Sequence, residues 1–529
     1  MKALLLYPQF PQSFWSYDRF LEIAGLKAFI PPLGIITVAA LLPQDWEIRF
    51  CDRNVNLETD ADWQWCDIVI LSAMLAQKSD FHALIRKAVR LGKKVAVGGP
   101  YPTSVPQAAL DSGAHYLILD EGEITVPQFL DAVDRDREQG IFRACEKPDV
   151  TLSPIPRFDL LDRDAYFMMA IQFSRGCPFN CEFCDIISLY GRKPRTKEPA
   201  QTIAELQTLY DLGWRGSLFI VDDNFIGNQR NVKRLLRELI PWMQKHDYPF
   251  SFLTEASVNL AEDNELLDLM AEAGFYGVFL GIETPDQDSL KMTRKLQNTR
   301  NPLAEACSKI NQAGLFIHAG FILGFDGERA GAGERIQGFV EQTNIPQPML
   351  GILQALPNTA LWNRLQHEQR LTEGDIDHPT GDQNTLMNFV PTRPIAEIAR
   401  EYVEGIWTMY EPANYLKRCL QHCLEIRLRS GRKQTLKFPL GKEVQLVTRL
   451  IWHQGIRRSD IRVQFWRQLI IILAKNPRIL KTYLGLCAAG EHSWEYRVLA
   501  RQRITEQLGY DPLNVPALSQ PQPVLVRMN

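Results

Sequence analysis

Eleven residues, Ser174-Arg175-Gly176-Cys177-Pro178-Phe179-Asn180-Cys181-Glu182-Phe183-Cys184, set three thiols at C-x3-C-x2-C spacing directly after a short apolar run. A loop that gathers three cysteines at a strand end constrains everything around it, because strand ends are where α/β sheets and barrels place their chemistry. With ten cysteines among 529 residues, the spacing arises by chance in about one chain in 250. Ten cysteines in a chain this long are not the disulfide framework of a small secreted domain, so the loop reads as a metal loop. Three thiolates suit three corners of a cubic iron–sulfur cluster, which otherwise takes four cysteines. Its fourth iron is then open to a substrate or cofactor. A structural zinc site is the competing reading, but zinc wants a fourth Cys or His, and none lies within twenty residues.

Around this loop, short apolar runs alternate with helical periodicity. In the N-terminal part the runs Ala3–Tyr7, Glu47–Asp52, Ile68–Ser72, Lys94–Gly98 and Tyr116–Leu119 are separated by helical stretches such as Leu33–Leu42 and Asp80–Leu91. That is the pattern of a parallel, doubly wound sheet. A linker bearing Pro148, Pro154 and Pro156 leads to further runs at Ala170–Ser174, Leu218–Val221, Phe252–Thr254, Gly277–Ile282, Phe316–Phe321 and Leu350–Gln354. Six strands with intervening helices predict a partial (β/α)6 barrel with its chemistry at the C-terminal strand ends. Past Asn358 the strand signal fades. Arg400–Ile426, Val444–Trp452, Ile461–Leu473 and Ile479–Leu486 read as helices, followed by an extended tail with Pro512, Pro516, Pro521 and Pro523. The expected fold class is α/β: a Rossmann-like sheet over residues 1–145, a linker over 146–168, a TIM-like barrel over 169–357 and an α-helical domain over 358–529.

The cysteine loop, with an aromatic residue before its last Cys and a six-unit barrel behind it, resembles the radical S-adenosylmethionine enzymes. The resemblance implies that Cys177, Cys181 and Cys184 ligate a [4Fe–4S] cluster whose open iron chelates the amino and carboxylate groups of S-adenosylmethionine. An electron, from a donor such as flavodoxin or ferredoxin, then splits the sulfonium to a 5′-deoxyadenosyl radical. The same resemblance sets Phe183 by the adenine and gives Asp222, Asp223 and Asn224 the methionyl amino group. Glu255 and Ser257 resemble holders of the methionyl carboxylate and ribose, and Glu283 and Leu323 resemble ribose and adenine contacts. Read without the family, Asp222 and Asp223 are equally a helix N-cap pair, and Glu283 an ion-paired carboxylate.

A doubly wound domain ahead of such a barrel is similar to the cobalamin-binding domain of the class B members. The implied contacts are the strand ends Ser72, Met74 and Leu75, then Gly98, Gly99 and Pro100, then Glu121, Gly122 and Glu123. Taken alone, the glycine pair reads as a tight turn. Classical cobalamin domains supply a lower histidine from an Asp-x-His-x-x-Gly motif; here the position reads Tyr7-Pro8-Gln9-Phe10-Pro11-Gln12. The expected cobalamin is therefore base-off with no histidine on cobalt, and the axial ligand is a main lever on a metal's redox chemistry. The family logic uses S-adenosylmethionine twice, once to renew the methyl group on cobalamin and once to make the radical that activates carbon.

The full layout, including Phe29-Ile30-Pro31-Pro32-Leu33-Gly34, is most similar to the hopanoid C-2 methylase-like group. It implies methylation of an unactivated carbon in an apolar small molecule, a hopanoid-like polycyclic lipid. A tetrapyrrole side-chain methylase or oxidative cyclase is the alternative, and a metal- or RNA-binding protein without activity is the rival from another class. The net charge is −3 with 23% charged residues, which argues against nucleic acid as the partner of the whole chain. No run reaches the ~18 apolar residues a membrane span needs, and the N-terminus does not read as a secretory signal. Yet between Tyr415 and Arg503 nineteen Lys or Arg stand against five Asp or Glu. There Arg457, Arg458, Arg462, Arg467, Lys475, Arg478 and Lys481 interleave with Trp452, Phe465, Trp466 and Ile470–Leu473. Such a stretch suits an anionic membrane surface; helices packed on the barrel are the plainer reading. The expectation is a cytoplasmic enzyme, peripheral on the inner membrane face, with no nucleic-acid partner.

Overall fold

A computed structural model of the chain describes residues 1–372, 384–427 and 441–514. Pro516, Pro521 and Pro523 of the expected tail lie outside the described residues. Strands β1 (Lys2–Tyr7), β2 (Glu47–Asp52), β3 (Ile68–Ser72), β4 (Lys94–Gly98), β5 (Tyr116–Ile118) and β6 (Gly140–Phe142) form one sheet in the order β2-β1-β3-β4-β5-β6. Every pairing in it is parallel. Alternate residues serve opposite faces: Leu4, Leu6, Val69, Leu71, Val95 and Val97 enter one hydrophobic cluster, Ala3, Leu5, Ile68, Ile70 and Ala96 the other. Burial on both faces is why these strands read as unbroken apolar runs. The strand order reverses between β1 and β3, so the crevice beyond Tyr7 and Ser72 is the switch point at which open α/β sheets bind ligands.

The second sheet begins with β7 (Met168–Ile171). Strands β8 (Ser174–Arg175) and β9 (Arg195–Thr196) then pair antiparallel and close the cysteine loop at its base. Next come β10 (Ser217–Ile220), β11 (Ser251–Ala256), β12 (Phe275–Glu283), β13 (Phe316–Leu323) and β14 (Gln347–Ile352), giving a parallel sheet ordered β7-β10-β11-β12-β13-β14. Register aligns Glu255 with Phe279, Phe279 with His318 and His318 with Gln347. Partners on neighbouring parallel strands point the same way, so these four side chains share one face of the sheet.

The C-terminal part is helical, with two departures from the sequence reading. The expected helix over Arg400–Ile426 is two helices, Ile395–Met409 and Pro412–Glu425. Pro412 cannot continue the first and opens the second, where the Glu411 carboxylate caps the Asn414 N–H at 2.8 Å. The expected helix over Ile479–Leu486 is the start of a 29-residue helix, Leu480–Leu508. Its residues from Thr482 to Trp494 are all buried. It packs against the helices Asp18–Ala24, Ile395–Met409 and Pro412–Glu425, and the His492 imidazole is hydrogen-bonded to the Phe14 carbonyl at 3.0 Å. The N-terminal segment and the C-terminal helices are thereby joined on one side of the barrel.

Candidate active site

The carboxyl ends of the two sheets face each other across an ion network. Arg175, two residues before Cys177, donates to Glu121 and Glu123 at 2.8 Å each, and Arg195 of β9 donates to Glu121 at 2.8 Å. Both carboxylates are buried, and buried carboxylates demand cations. Burial alone would raise the Glu123 carboxyl, but the Arg175 guanidinium overrides it and holds it down at about 2. Glu121 and Glu123 were expected to touch cobalamin. Their oxygens are instead committed to two arginines that no sequence motif marks.

The cysteine loop is shaped by the segment after β10. The Asp222 carboxylate accepts the Phe173 N–H at 2.8 Å, the Ser174 N–H at 2.9 Å and the Ser174 hydroxyl at 2.7 Å. Asp223 accepts the Gly176 N–H at 2.7 Å. These two residues hold the loop; they neither cap a helix nor, in the case of the buried Asp222, present a free oxygen to a ligand. Enclosure pushes Asp222 up to about 6 and Asp223 to about 7. Gly176 has φ +91°, and a Cβ on it would lie 2.9 Å from the Gly191 carbonyl oxygen, so the turn into Cys177 requires glycine.

Around the sulfurs stands a ring of donors. Asn224 Nδ2 lies 3.7 Å from Cys177 Sγ and donates to Ser257 Oγ at 3.1 Å, and Gln297 Nε2 lies 3.7 Å from Cys181 Sγ. Lys295 pairs with Glu283 at 2.6 Å and sits 5.9 Å from the Phe183 ring centroid; Phe183 packs 5.6 Å from Phe325. Glu283 is therefore the ion-paired carboxylate of the plainer reading. Burial and the Asp223 carboxylate hold Glu255 up at about 8. Leu323, the expected adenine contact, is fully buried in the hydrophobic core. Lys295, Gln297 and Asn298 were not foreseen: they come from a loop after β12 with no motif of its own.

These residues fit the implied groups. Burial raises the Cys177 and Cys184 thiols, while the Asn224 donor at Cys177 and the Lys295 ammonium pull toward the thiolate, the form cluster ligands require. Gln297 Oε1 and Asn298 Oδ1 are buried acceptors without a partner among the described residues, which amino or ribose donors of S-adenosylmethionine would satisfy. At the switch point of the first sheet Met74 is 49% exposed, beside Ser72 and the first residue, Leu75, of a short 3-10 turn. Gly99 has φ +94°, and a Cβ there would lie 2.6 Å from Ser72 Oγ. Gly98, Gly99 and Pro100 thus make the tight turn that the glycine pair suggested, beside the exposed Met74. Gly122 only starts the helix Gly122–Asp134 against Val38. His82 is hydrogen-bonded to Ser112 and Tyr101, and His115 accepts the Val95 N–H.

Residues 171–335 match the radical SAM superfamily, residues 23–130 the B12 binding domain and residues 359–506 a domain of unknown function. An uncharacterized methyltransferase from Synechocystis is 56% identical over 510 residues, 96% of this chain and 94% of its own. The hopanoid C-2 methylase of Rhodopseudomonas palustris is 34% identical over 477 residues, 88% of each chain. The radical S-adenosylmethionine methyltransferase TsrM from Kitasatospora setae, solved with cobalamin and a [4Fe–4S] cluster bound, shares the fold with a TM-score of 0.58 at 15% identity over 78% of this chain and 90% of its own. With its two cofactor domains in tandem and relatives of that likeness over nearly its whole length, the chain belongs to the cobalamin-dependent radical S-adenosylmethionine enzymes. Within them it is a methyltransferase, and its cofactors are a [4Fe–4S] cluster, S-adenosylmethionine and cobalamin.

Proposed function

We propose that this methyltransferase acts on an unactivated carbon of a hopanoid-like polycyclic lipid, with Cys177, Cys181 and Cys184 as the cluster ligands. The observation that carries the reading is the face of the barrel sheet that bears Glu255. That face also carries His318 and Gln347, but next to Glu255 it offers apolar area: Phe279 is its register partner, and the Trp15 ring packs on Phe279 at 5.3 Å. Ile322 and Met349 are likewise only partly buried. A rigid hydrocarbon needs such walls and few hydrogen-bond partners. The relation to the hopanoid C-2 methylase over 88% of the chain supports the same substrate class.

When bound, the cofactors supply the radical and the methyl group. The chain's own residues do the positioning. Asp222 and Asp223 fix the loop, Asn224 and Gln297 donate to the sulfurs, and Lys295 places a cation beside them. Glu255 and Ser257 are assigned the methionyl carboxylate and the ribose. No helix among the described residues is long and apolar enough to cross a membrane. The reading instead includes reversible contact between residues 442–475 and the inner membrane face, and an electron donor such as flavodoxin or ferredoxin.

Anaerobic reconstitution tests it. Wild-type protein given reductant, S-adenosylmethionine and a hopanoid should yield 5′-deoxyadenosine and a hopanoid one methyl heavier. The variant with Cys177, Cys181 and Cys184 all replaced by Ala should lose iron and both products. Paramagnetic resonance of the Co(II) form should lack the nitrogen triplet of an axial imidazole. S-adenosylmethionine cleavage with no methylated lipid would refute the substrate.

A further inference from the structure

We infer that Trp15 forms the floor of the substrate site at the carboxyl ends of the barrel strands, and that the hydrocarbon skeleton of the substrate rests on its indole ring. This rests on the lipid reading above. The segment between β1 and the helix Asp18–Ala24 carries no histidine but four aromatic residues, Phe10, Phe14, Trp15 and Tyr17. It is tied at both ends. The Gln9 N–H donates to Asp80 at 2.7 Å and the Phe10 N–H to Asn54 at 2.9 Å, both in the first domain. Farther on, the Phe14 ring meets Tyr496 edge-on at 5.6 Å, and its carbonyl is bonded to His492 of the long helix. Tyr17 stacks on Phe29 at 4.5 Å. Phe14 and Tyr17 are 3% and 4% exposed, while Trp15 between them is 39% exposed. A single open aromatic ring is ordinary on an outer surface. Trp15 is placed on the inner face of the barrel sheet instead.

Register fixes its height there. Leu253, Gly277 and Phe316 form one row across the sheet, and Glu255, Phe279 and His318 form the next on the same face, about 7 Å nearer the carboxyl ends. Tyr17 lines a small cavity with Leu253 and Phe316 of the lower row and His318 of the upper. The Trp15 ring meets Phe279 of the upper row edge-on at 5.3 Å. The segment therefore fills the inner face as far as the row of Glu255, and Trp15 is its open end. The row above holds Gly281 and Gly320, which are register partners. Two positions without side chains leave depth over the Trp15–Phe279 pair, and a Cβ on Gly320 would lie 3.0 Å from the Phe279 ring. Ile322 and Met349, both partly buried, continue the same face. A hydrocarbon ring system on such a floor is placed by contact area rather than by hydrogen bonds. Its reacting carbon must still be placed closely, because a misplacement of about 1 Å costs on the order of a hundredfold in rate.

Kinetics of the cofactor-loaded full chain with a pentacyclic hopanoid test the role. Trp15→Ala should raise the KM for the hopanoid about tenfold and the 5′-deoxyadenosine formed per methylated product about threefold. The KM for S-adenosylmethionine, the iron and the bound cobalamin should stay at wild-type values, and Trp15→Phe should restore most of the loss. An unchanged hopanoid KM and an unchanged product ratio in Trp15→Ala would overturn the inference. Fluorine resonance on the wild-type sequence labelled with 5-fluorotryptophan decides independently of how Trp15→Ala folds. Of its eleven tryptophan signals, the one missing from labelled Trp15→Phe should move when hopanoid is added in neutral detergent micelles, relative to the same micelles without lipid. A Trp15 signal that stays in place while methylated product forms would overturn the inference and leave the lipid reading standing. A moved signal without methylated product would instead reject the hopanoid as substrate and support Trp15 as the floor, and a still signal without product would reject both.

Discussion

Three donors converge on the Asp222 carboxylate, and replacing one of its oxygens by an amide nitrogen sets donor against donor in a buried place. An unmatched buried donor costs about 1–3 kcal/mol, and here the cost falls on the loop that carries Cys177. Asp222→Asn should therefore lower the iron bound per chain at least twofold on reconstitution, with 5′-deoxyadenosine falling in step while bound cobalamin is unchanged. Full iron and full turnover in that variant would contradict the loop-holding role. The residues legible in the sequence were those whose chemistry is local: three thiols on one loop announce themselves by spacing. Gln297 donates to Cys181 across 116 residues of chain, and nothing in its own neighbourhood records that meeting. The arginine partners of Glu121 and Glu123 escaped for a related reason, since a strand-end carboxylate looks the same in sequence whether it faces a ligand or an arginine of the next domain.

Elements buried on two faces were the easiest to read, and the strands of both sheets fall where their Val, Ile and Leu runs lie. Strand β6 escaped because three edge residues carry no period. The helix Leu480–Leu508 escaped past Leu486 because enclosure from Thr482 to Trp494 erases there the polar face that marks a helix; Gly490 even meets the Tyr415 ring, a Cβ on it coming within 2.7 Å. The helix Arg462–Lys475 is the opposite case. It buries Phe465, Gln468 and Ile472 and leaves Val463, Ile470 and Leu473 open to solvent, Val463 being 75% exposed. Trp452 and Ile456 extend the same kind of surface on the preceding segment. Basic residues beside an exposed apolar stripe suit an anionic leaflet, each contributing ~1 kcal/mol near the surface. Arg458 is not among them, since it pairs with Asp460 at 2.6 Å and stacks over Trp494. Co-sedimentation with vesicles should rise with anionic lipid, fall with salt, and drop several-fold on joint Arg457→Glu, Arg462→Glu and Arg467→Glu substitution. Wild-type protein left in the supernatant at low salt would show that this face serves something other than a membrane.

At the scale of the whole molecule, cooperation between the two cofactor domains depends on how their sheet ends are held together, and Arg175 is one of the two arginines that span them. It reaches from the cysteine loop of one domain to Glu121 and Glu123 of the other. Removing one member of a buried ion network strands the rest, at about 3–5 kcal/mol, so Arg175→Met should unfold at markedly lower denaturant than the wild type at neutral pH. The pH dependence separates lost charge pairing from lost packing. In the wild type Glu123 titrates at about 2, below its ordinary 4.5. Its contribution is therefore complete above about 4.5 and disappears as pH falls toward 2. In the variant, burial acts on Glu123 without its guanidinium and pushes the carboxyl up, so acid relieves a penalty that neutral pH imposes. The stability gap between the two proteins should be widest near neutrality and narrow as the buffer is taken below pH 4.5. Denaturant melts across that range check it, and a gap constant with pH would mean that the arginine stem, rather than its charge, joins the sheets.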